Sequence, residues 1–230
     1  MSELPINRYL DHAVLKPELS RTEAVDAIQL GIDYKVRTVC VRPCDIELAA
    51  EMCEGSDSDV SCVLSFPHGC NPSELKAREA ELYISKGTKE IDMVANYGWI
   101  RSGLFDLVEK DIRSVVDVVK AKGVLLKVIL ETGMLELSQV AEATEAAIRA
   151  GADFVKTSTG FNGGGATEEA VKTMIDTARG RIKVKASGGI RSTEQARAFI
   201  ALGCERLGNG FSSTAAICGG EAANEEPSAY

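Results

Sequence analysis

The sequence predicts an α/β fold, a single TIM (β/α)8 barrel, on three observations. Short runs of β-branched and apolar residues alternate with longer segments whose apolar residues recur at helical spacing. Glycines punctuate the ends of those helical segments, where a left-handed residue closes a helix before the next strand. At 230 residues the chain has room for eight such units, whereas an open doubly wound sheet usually has fewer strands. No linker divides the chain, so residues 1–219 are expected to form one barrel and the polar, acidic residues 220–230 a mobile tail.

The first strand is expected at residues 10–15, and the helix after it closes at Gly31. Strands follow at 38–41 and 61–65, then a helix closed by Gly87 and a strand at 90–95. The next helix closes at Gly123 before a strand at 125–130. Ser138 reads as a capping residue, with Val140, Ala143, Ala147 and Ile148 forming the apolar stripe of a barrel-facing helix that Gly151 closes. Strands at 154–158, 182–186 and 206–208 complete the set, and Gly203 closes the last helix between them.

Composition removes several function classes. With 45% hydrophobic, 26% charged and 5% aromatic residues the chain is neither disordered nor fibrous. A net charge of -8 disfavours nucleic acid and anionic membranes as partners but leaves room for a small anion bound locally. No apolar run approaches the roughly 20 residues that span a bilayer, and the first residues lack a basic start followed by an apolar core. A cytoplasmic location is therefore expected. The seven cysteines show no Cys-x-x-Cys or zinc-like spacing and read as reduced, mostly packed thiols.

Charge inside a barrel strand is the informative feature, because burying an ion is costly and commonly marks a site. Asp92 lies in Glu90-Ile91-Asp92-Met93-Val94, Lys156 in Phe154-Val155-Lys156-Thr157-Ser158, and Lys185 in Ile182-Lys183-Val184-Lys185-Ala186. All three sit towards the C-terminal ends of their strands, where barrels carry their chemistry. A lone lysine at a strand end more often reaches into solvent, and a lone aspartate often merely pairs with one. Three together reverse that reading. Neighbouring amines disfavour each other's charged form, and an uncharged amine attacks a carbonyl to give an iminium ion, the electron sink for metal-free carbon–carbon cleavage. Lys127 and Lys183 fit the same alternation and are ranked as structural.

A second constellation is glycine-rich. Gly160 follows the Lys156 strand, Gly188-Gly189-Ile190-Arg191 follows the Lys185 strand, and Gly208-Asn209-Gly210 ends the last. Each pair alone is an ordinary tight turn. Together, after strands six to eight, their amides and Arg191 are expected to hold a phosphate.

These motifs resemble the deoxyribose-phosphate aldolase family over nearly the whole chain, to about Cys218. The likeness rests on Leu10-Asp11-His12, Val39-Cys40-Val41, Ser65-Phe66-Pro67-His68-Gly69, Lys127-Val128-Ile129-Leu130-Glu131-Thr132, Gly164-Gly165-Ala166-Thr167 and the strands of Asp92, Lys156 and Lys185. The resemblance implies that Lys156 forms a Schiff base, that Lys185 tunes it, and that Asp92 relays protons. It further implies reversible cleavage of 2-deoxy-D-ribose 5-phosphate to D-glyceraldehyde 3-phosphate and acetaldehyde, without cofactor, in a homodimer. His12, His68 and Cys40 are expected to be structural, while Asp11 could orient a substrate hydroxyl or pair with a lysine.

Two departures bear on the substrate. Ala13 stands where the family commonly has threonine, and Asn209-Gly210-Phe211 stands where it usually has Thr-Ser-Ser. An unphosphorylated or otherwise altered deoxy sugar is thus an alternative substrate. A barrel that binds sugar phosphate without chemistry is a further one, disfavoured by Lys156, Lys185 and Asp92. The family's C-terminal tyrosine is matched by Tyr230, a proton donor or lid on a mobile tail.

Overall fold

A computed structural model describes residues 4–219. Eight parallel strands close into a barrel in sequence order: β1 (Leu10–Val14), β2 (Thr38–Val41), β3 (Asp59–Leu64), β4 (Glu90–Val94), β5 (Leu125–Ile129), β6 (Phe154–Lys156), β7 (Lys183–Ser187) and β8 (Arg206–Gly210). The closing seam pairs β8 with β1, placing Asn209 opposite His12. Helices α1 (Arg21–Asp33), α2 (Ile46–Cys53), α3 (Ser73–Ser85), α4 (Tyr97–Arg101), α5 (Phe105–Lys120), α6 (Leu137–Ala150), α7 (Glu168–Ala178), α8 (Thr193–Leu202) and α9 (Thr214–Ile217) occupy the connections and the end of the described chain. The expected tail and Tyr230 lie outside the described residues.

The strand faces divide the molecule. One face of each strand packs its Leu10, Val39, Val41, Cys62, Ile91, Met93, Leu126, Val128, Val155, Val184 and Leu207 into the main hydrophobic core. The alternate residues turn inward, as the period of two requires. Towards the mouth a second, small cluster of Ala13, Leu15, Cys40 and Val63 lines the β1–β3 side, with Phe66 packed on it.

Helix ends follow local chemistry. Ser20 and Glu23 form a reciprocal capping box on α1, and Thr167 and Ser192 cap α7 and α8. Gly151 and Gly203 are left-handed C-caps of α6 and α8, as expected. Two expectations fail. The box on α6 is Glu136 with Gln139, its cap two residues ahead of Ser138, because those two side chains reach each other's backbone amides. Gly31 lies inside α1 rather than ending it, because the left-handed position after the helix falls to Lys35 at φ 51°, while Gly31 leaves room for the His12 ring 2.9 Å from where a Cβ would sit. No helix among the described residues is long and apolar enough to cross a membrane.

Candidate active site

Inside the barrel the inward positions of β1, β4, β5, β6, β7 and β8 carry Asp11, Glu90, Asp92, Lys127, Lys156, Lys185 and Arg206, all nearly or fully buried. Strand register brings them together. Asp92 is level with Lys127, and Lys156 with Lys185. Arg206 Nη1 donates to Asp11 Oδ1 at 2.7 Å and to Glu90 Oε2 at 2.8 Å. Lys127 Nζ lies 2.6 Å from Glu90 Oε2 and donates to Asp92 Oδ1 at 2.8 Å.

Above this layer Lys156 Nζ and Lys185 Nζ both donate to Asp92 Oδ2, at 2.8 and 2.7 Å. Lys185 donates in addition to Asp11 Oδ2. The two amines therefore meet across one carboxylate oxygen instead of facing each other bare.

Electrostatics in this dry space settles which carboxyls are charged. Burial pushes the Asp92 carboxyl up, but Lys127, Lys156 and Lys185 together hold it well below the usual carboxylate range. Asp11 behaves likewise, with Arg206, Lys127 and Lys185 outweighing its burial. Glu90 is also held low, burial being outweighed mainly by Lys127 and Arg206. Burial lowers Lys127, yet Asp11, Asp92 and Glu90 more than reverse this, so its ammonium is locked on. The cluster sets four basic side chains, Lys127, Lys156, Lys185 and Arg206, against three carboxylates, Asp11, Glu90 and Asp92. Removing one proton leaves it balanced.

The loops over the mouth are pinned by a separate carboxylate. Glu131, left-handed at φ 59° and buried, accepts from the Thr159 amide at 3.1 Å, the Thr159 hydroxyl at 2.5 Å and Asn162 Nδ2 at 2.8 Å. Asn162 also donates to the Pro67 carbonyl, tying the loop after β6 to the loop after β3. Phe66 and Phe161 close that junction edge to face, with ring centres 5.1 Å apart. A cavity of about 530 Å³ opens beside it, lined by Leu15, Val63, Phe66 and Phe161 among others.

The glycines of the turns after β6 and β7 interlock. A Cβ on Gly165 would fall 2.4 Å from the Gly188 carbonyl oxygen, and Gly188 itself has φ +90°. Gly160 and Gly189 also take positive φ, and Gly189 is exposed. Gly208 passes so close to β7 that a Cβ would meet Ser187 Oγ at 2.8 Å and Lys185 Cε at 3.1 Å. Gly160, Gly188, Gly189, Gly208 and Gly210 thus stand at the same ends of adjacent strands.

Asn209 does not join them through its side chain. Alternation turns it outward with His12, where Nδ2 donates to Thr214 Oγ1 at 2.8 Å and to the Gly210 carbonyl at 3.0 Å. Arg191 is exposed at the start of the α8 connection, with its amide donating to Gln195 Oε1. His12 lies outside the barrel and His68 on an exposed loop. Cys40 is buried at the mouth, where burial pushes its thiol up. Lys183 is exposed and lies 3.7 Å from Glu205, whereas Lys127 is wired directly to Asp92. Asp11 pairs with Lys185 and Arg206. Glu90, Arg206 and Glu131 were not singled out from sequence. The first two carried the same signal as Asp92, an ion at an inward strand position, while Glu131 was marked only by its place in a family motif.

The chain matches the model of the DeoC/LacD family aldolases over residues 11–219. It is 47% identical over 221 residues to the deoxyribose-phosphate aldolase of Streptococcus sanguinis, covering 96% of this chain and 99% of that protein. Among solved structures it superposes on the aldolase QR15 with a TM-score of 0.87 at 36% identity, covering 94% of this chain and 95% of that one. A tetrameric deoxyribose phosphate aldolase from Aeropyrum pernix gives a TM-score of 0.84 at 27% identity, covering 93% and 89%.

Proposed function

The chain belongs to the DeoC/LacD family of aldolases, and on that premise we propose that Lys156 is its Schiff-base nucleophile, with Asp92 and Lys185 moving protons beside it. The reaction is the reversible cleavage of 2-deoxy-D-ribose 5-phosphate to D-glyceraldehyde 3-phosphate and acetaldehyde. The observation that carries the assignment is the single Asp92 oxygen shared by Lys156 and Lys185.

The uncharged Lys156 amine adds to C1 of the open-chain sugar, and loss of water gives the iminium ion. A base takes the C3 hydroxyl proton, the C2–C3 bond breaks, and its electron pair moves into the iminium to give the enamine while glyceraldehyde 3-phosphate leaves. Protonation of the enamine carbon and addition of water then release acetaldehyde and restore the amine. Asp92 accepts protons as a carboxylate, and Lys185, bonded to it and to Asp11, returns them. Because Lys127 and Lys185 still hold Asp92 when Lys156 turns to substrate, the carboxylate stays in place through the cycle.

The phosphate end is assigned to the backbone around Gly160, Gly188, Gly189 and the C-terminal end of β8 at Gly208 and Gly210, with Arg191 at the rim. The alternative of an unphosphorylated sugar has its own support: Asn209 faces outward, and Gly210 and Phe211 supply no hydroxyl at the turn. Assembly as a homodimer and a cytoplasmic location complete the proposal. Sedimentation velocity at working concentration tests the first.

The deciding experiment is borohydride reduction in the presence of 2-deoxyribose 5-phosphate, with 2-deoxyribose in parallel, followed by peptide mapping. An adduct at Lys156 that forms far more readily with the phosphorylated sugar is expected. Equal trapping by both sugars would move the substrate to the unphosphorylated class, and an adduct at another lysine would overturn the assignment.

A further inference from the structure

Behind β8, outside the barrel, runs a chain of hydrogen bonds that the chemistry above does not use. The Ala27 carbonyl on α1 can only accept, so His12 Nε2, 2.8 Å away, carries the proton and Nδ1 is left as an acceptor. Thr214 at the start of α9 donates to that nitrogen at 2.7 Å. Its oxygen accepts from Asn209 Nδ2 at 2.8 Å, and the other amide hydrogen of Asn209 goes to the Gly210 carbonyl. The chain thus has one polarity from β8 to α1, and every side chain in it is buried.

Two features show that this arrangement is built rather than incidental. Gly31 leaves the room the His12 ring occupies, since a Cβ there would lie 2.9 Å from Cδ2. Asn209 Oδ1 is buried with no hydrogen-bond partner among the described residues, a cost that an apolar residue at 209 would avoid. The amide keeps that cost because its two donations bind both ends of the turn, Gly210 on one side and Thr214 on the other.

We propose that His12, Thr214 and Asn209 are positioning residues that hold residues 210–213 against the barrel mouth and so set how tightly the phosphate end of the substrate is gripped. The inference rests on the reading that this turn faces the phosphate. Gly210 and Phe211 offer no side-chain hydroxyl, and Ser212 and Ser213 ride on the same turn, so grip there depends on where its backbone lies. None of the three side chains touches the reacting carbons, because all three lie on the outer face of their strands or on α9.

The test is the ratio of kcat/KM for 2-deoxyribose 5-phosphate to that for 2-deoxyribose in wild type, Thr214→Val and Thr214→Ser. Thr214→Val keeps the shape and removes both hydrogen bonds. The expected result is a KM for the phosphorylated sugar raised about tenfold, with the unphosphorylated sugar changed less than about twofold, and recovery in Thr214→Ser. If Thr214→Val does not fold, Thr214→Ala removes the same oxygen and reads the same ratio. Equal losses on both sugars, or no change on either, would overturn the positioning role. A wild-type ratio near one would instead overturn the phosphate reading on which it rests.

Discussion

Lys156 and Lys185 donate to one oxygen of Asp92 from adjacent strands whose Cα atoms are paired in register. Among the described residues Lys156 has only that carboxylate as an ionic partner, whereas Lys185 also holds Asp11. The amine with fewer anchors is the one free to turn towards a carbonyl, and the better-anchored one keeps the carboxylate in place.

Replacing Lys156 removes the nucleophile while Asp92 keeps two cations. Lys156→Ala is expected to retain the far-ultraviolet circular dichroism of the wild type, lose borohydride trapping with 2-deoxyribose 5-phosphate, and fall at least about 10⁴-fold in kcat/KM. A retained adduct would place the imine on another lysine.

Asp92 joins three buried lysines, so Asp92→Asn strips them of their common carboxylate. Urea denaturation is expected to show a loss of about 3–5 kcal/mol, the usual result of breaking a buried ionic group. Turnover should drop by about 10²–10⁴-fold through loss of the proton acceptor. A variant of unchanged stability would contradict the network.

The interlocked turns after β6 and β7 make Gly165 sensitive. A methyl group there meets the Gly188 carbonyl oxygen at 2.4 Å, and backbone cannot swing aside as a flexible side chain would. Gly165→Ala is expected to lower stability by about 1–3 kcal/mol. It should also raise KM for the phosphorylated sugar more than it lowers kcat, as steady-state kinetics would show.

His12 gives the fold an acid limit. Burial depresses its ring from the ordinary 6.5 to about 4, against the opposing bond to Ala27. Because the unfolded chain takes up this proton before the folded one does, the contribution is whole above pH 6.5 and is lost as pH falls from there to about 4. The full linkage amounts to about 3 kcal/mol. Denaturation at pH 7 and pH 5 is expected to show a shallower pH slope in His12→Asn than in wild type, and equal slopes would refute the assignment.

Much of this was legible because strand alternation exposes its exceptions. Asp92, Lys156 and Lys185 stand out as ions among β-branched residues, and all three converge on one point. Lys127, ranked as structural, anchors Asp92 directly, a partnership that parity does not reveal because it tells which face a residue takes and not which partners close over it. Asn209 was expected to serve the phosphate, but its position one residue after Gly208 turns its side chain outward. Glu131 stands in a family motif, but its role is not legible there, since it depends on Thr159 and Asn162 folding back from the next loop.

The sequence by itself determined the order of the eight strands and their positions to within two residues, the inward-facing ions and the aldolase family, because periodicity and motif are properties of neighbours along the chain. Only the tertiary structure decided that Asp92 Oδ2 is shared, that four basic groups face three carboxylates, and that His12 reaches Asn209 through Thr214. Those are contacts between residues far apart in sequence. Closing the barrel sets their distances and buries them in a medium of low polarity, which makes each pairing strong enough to matter.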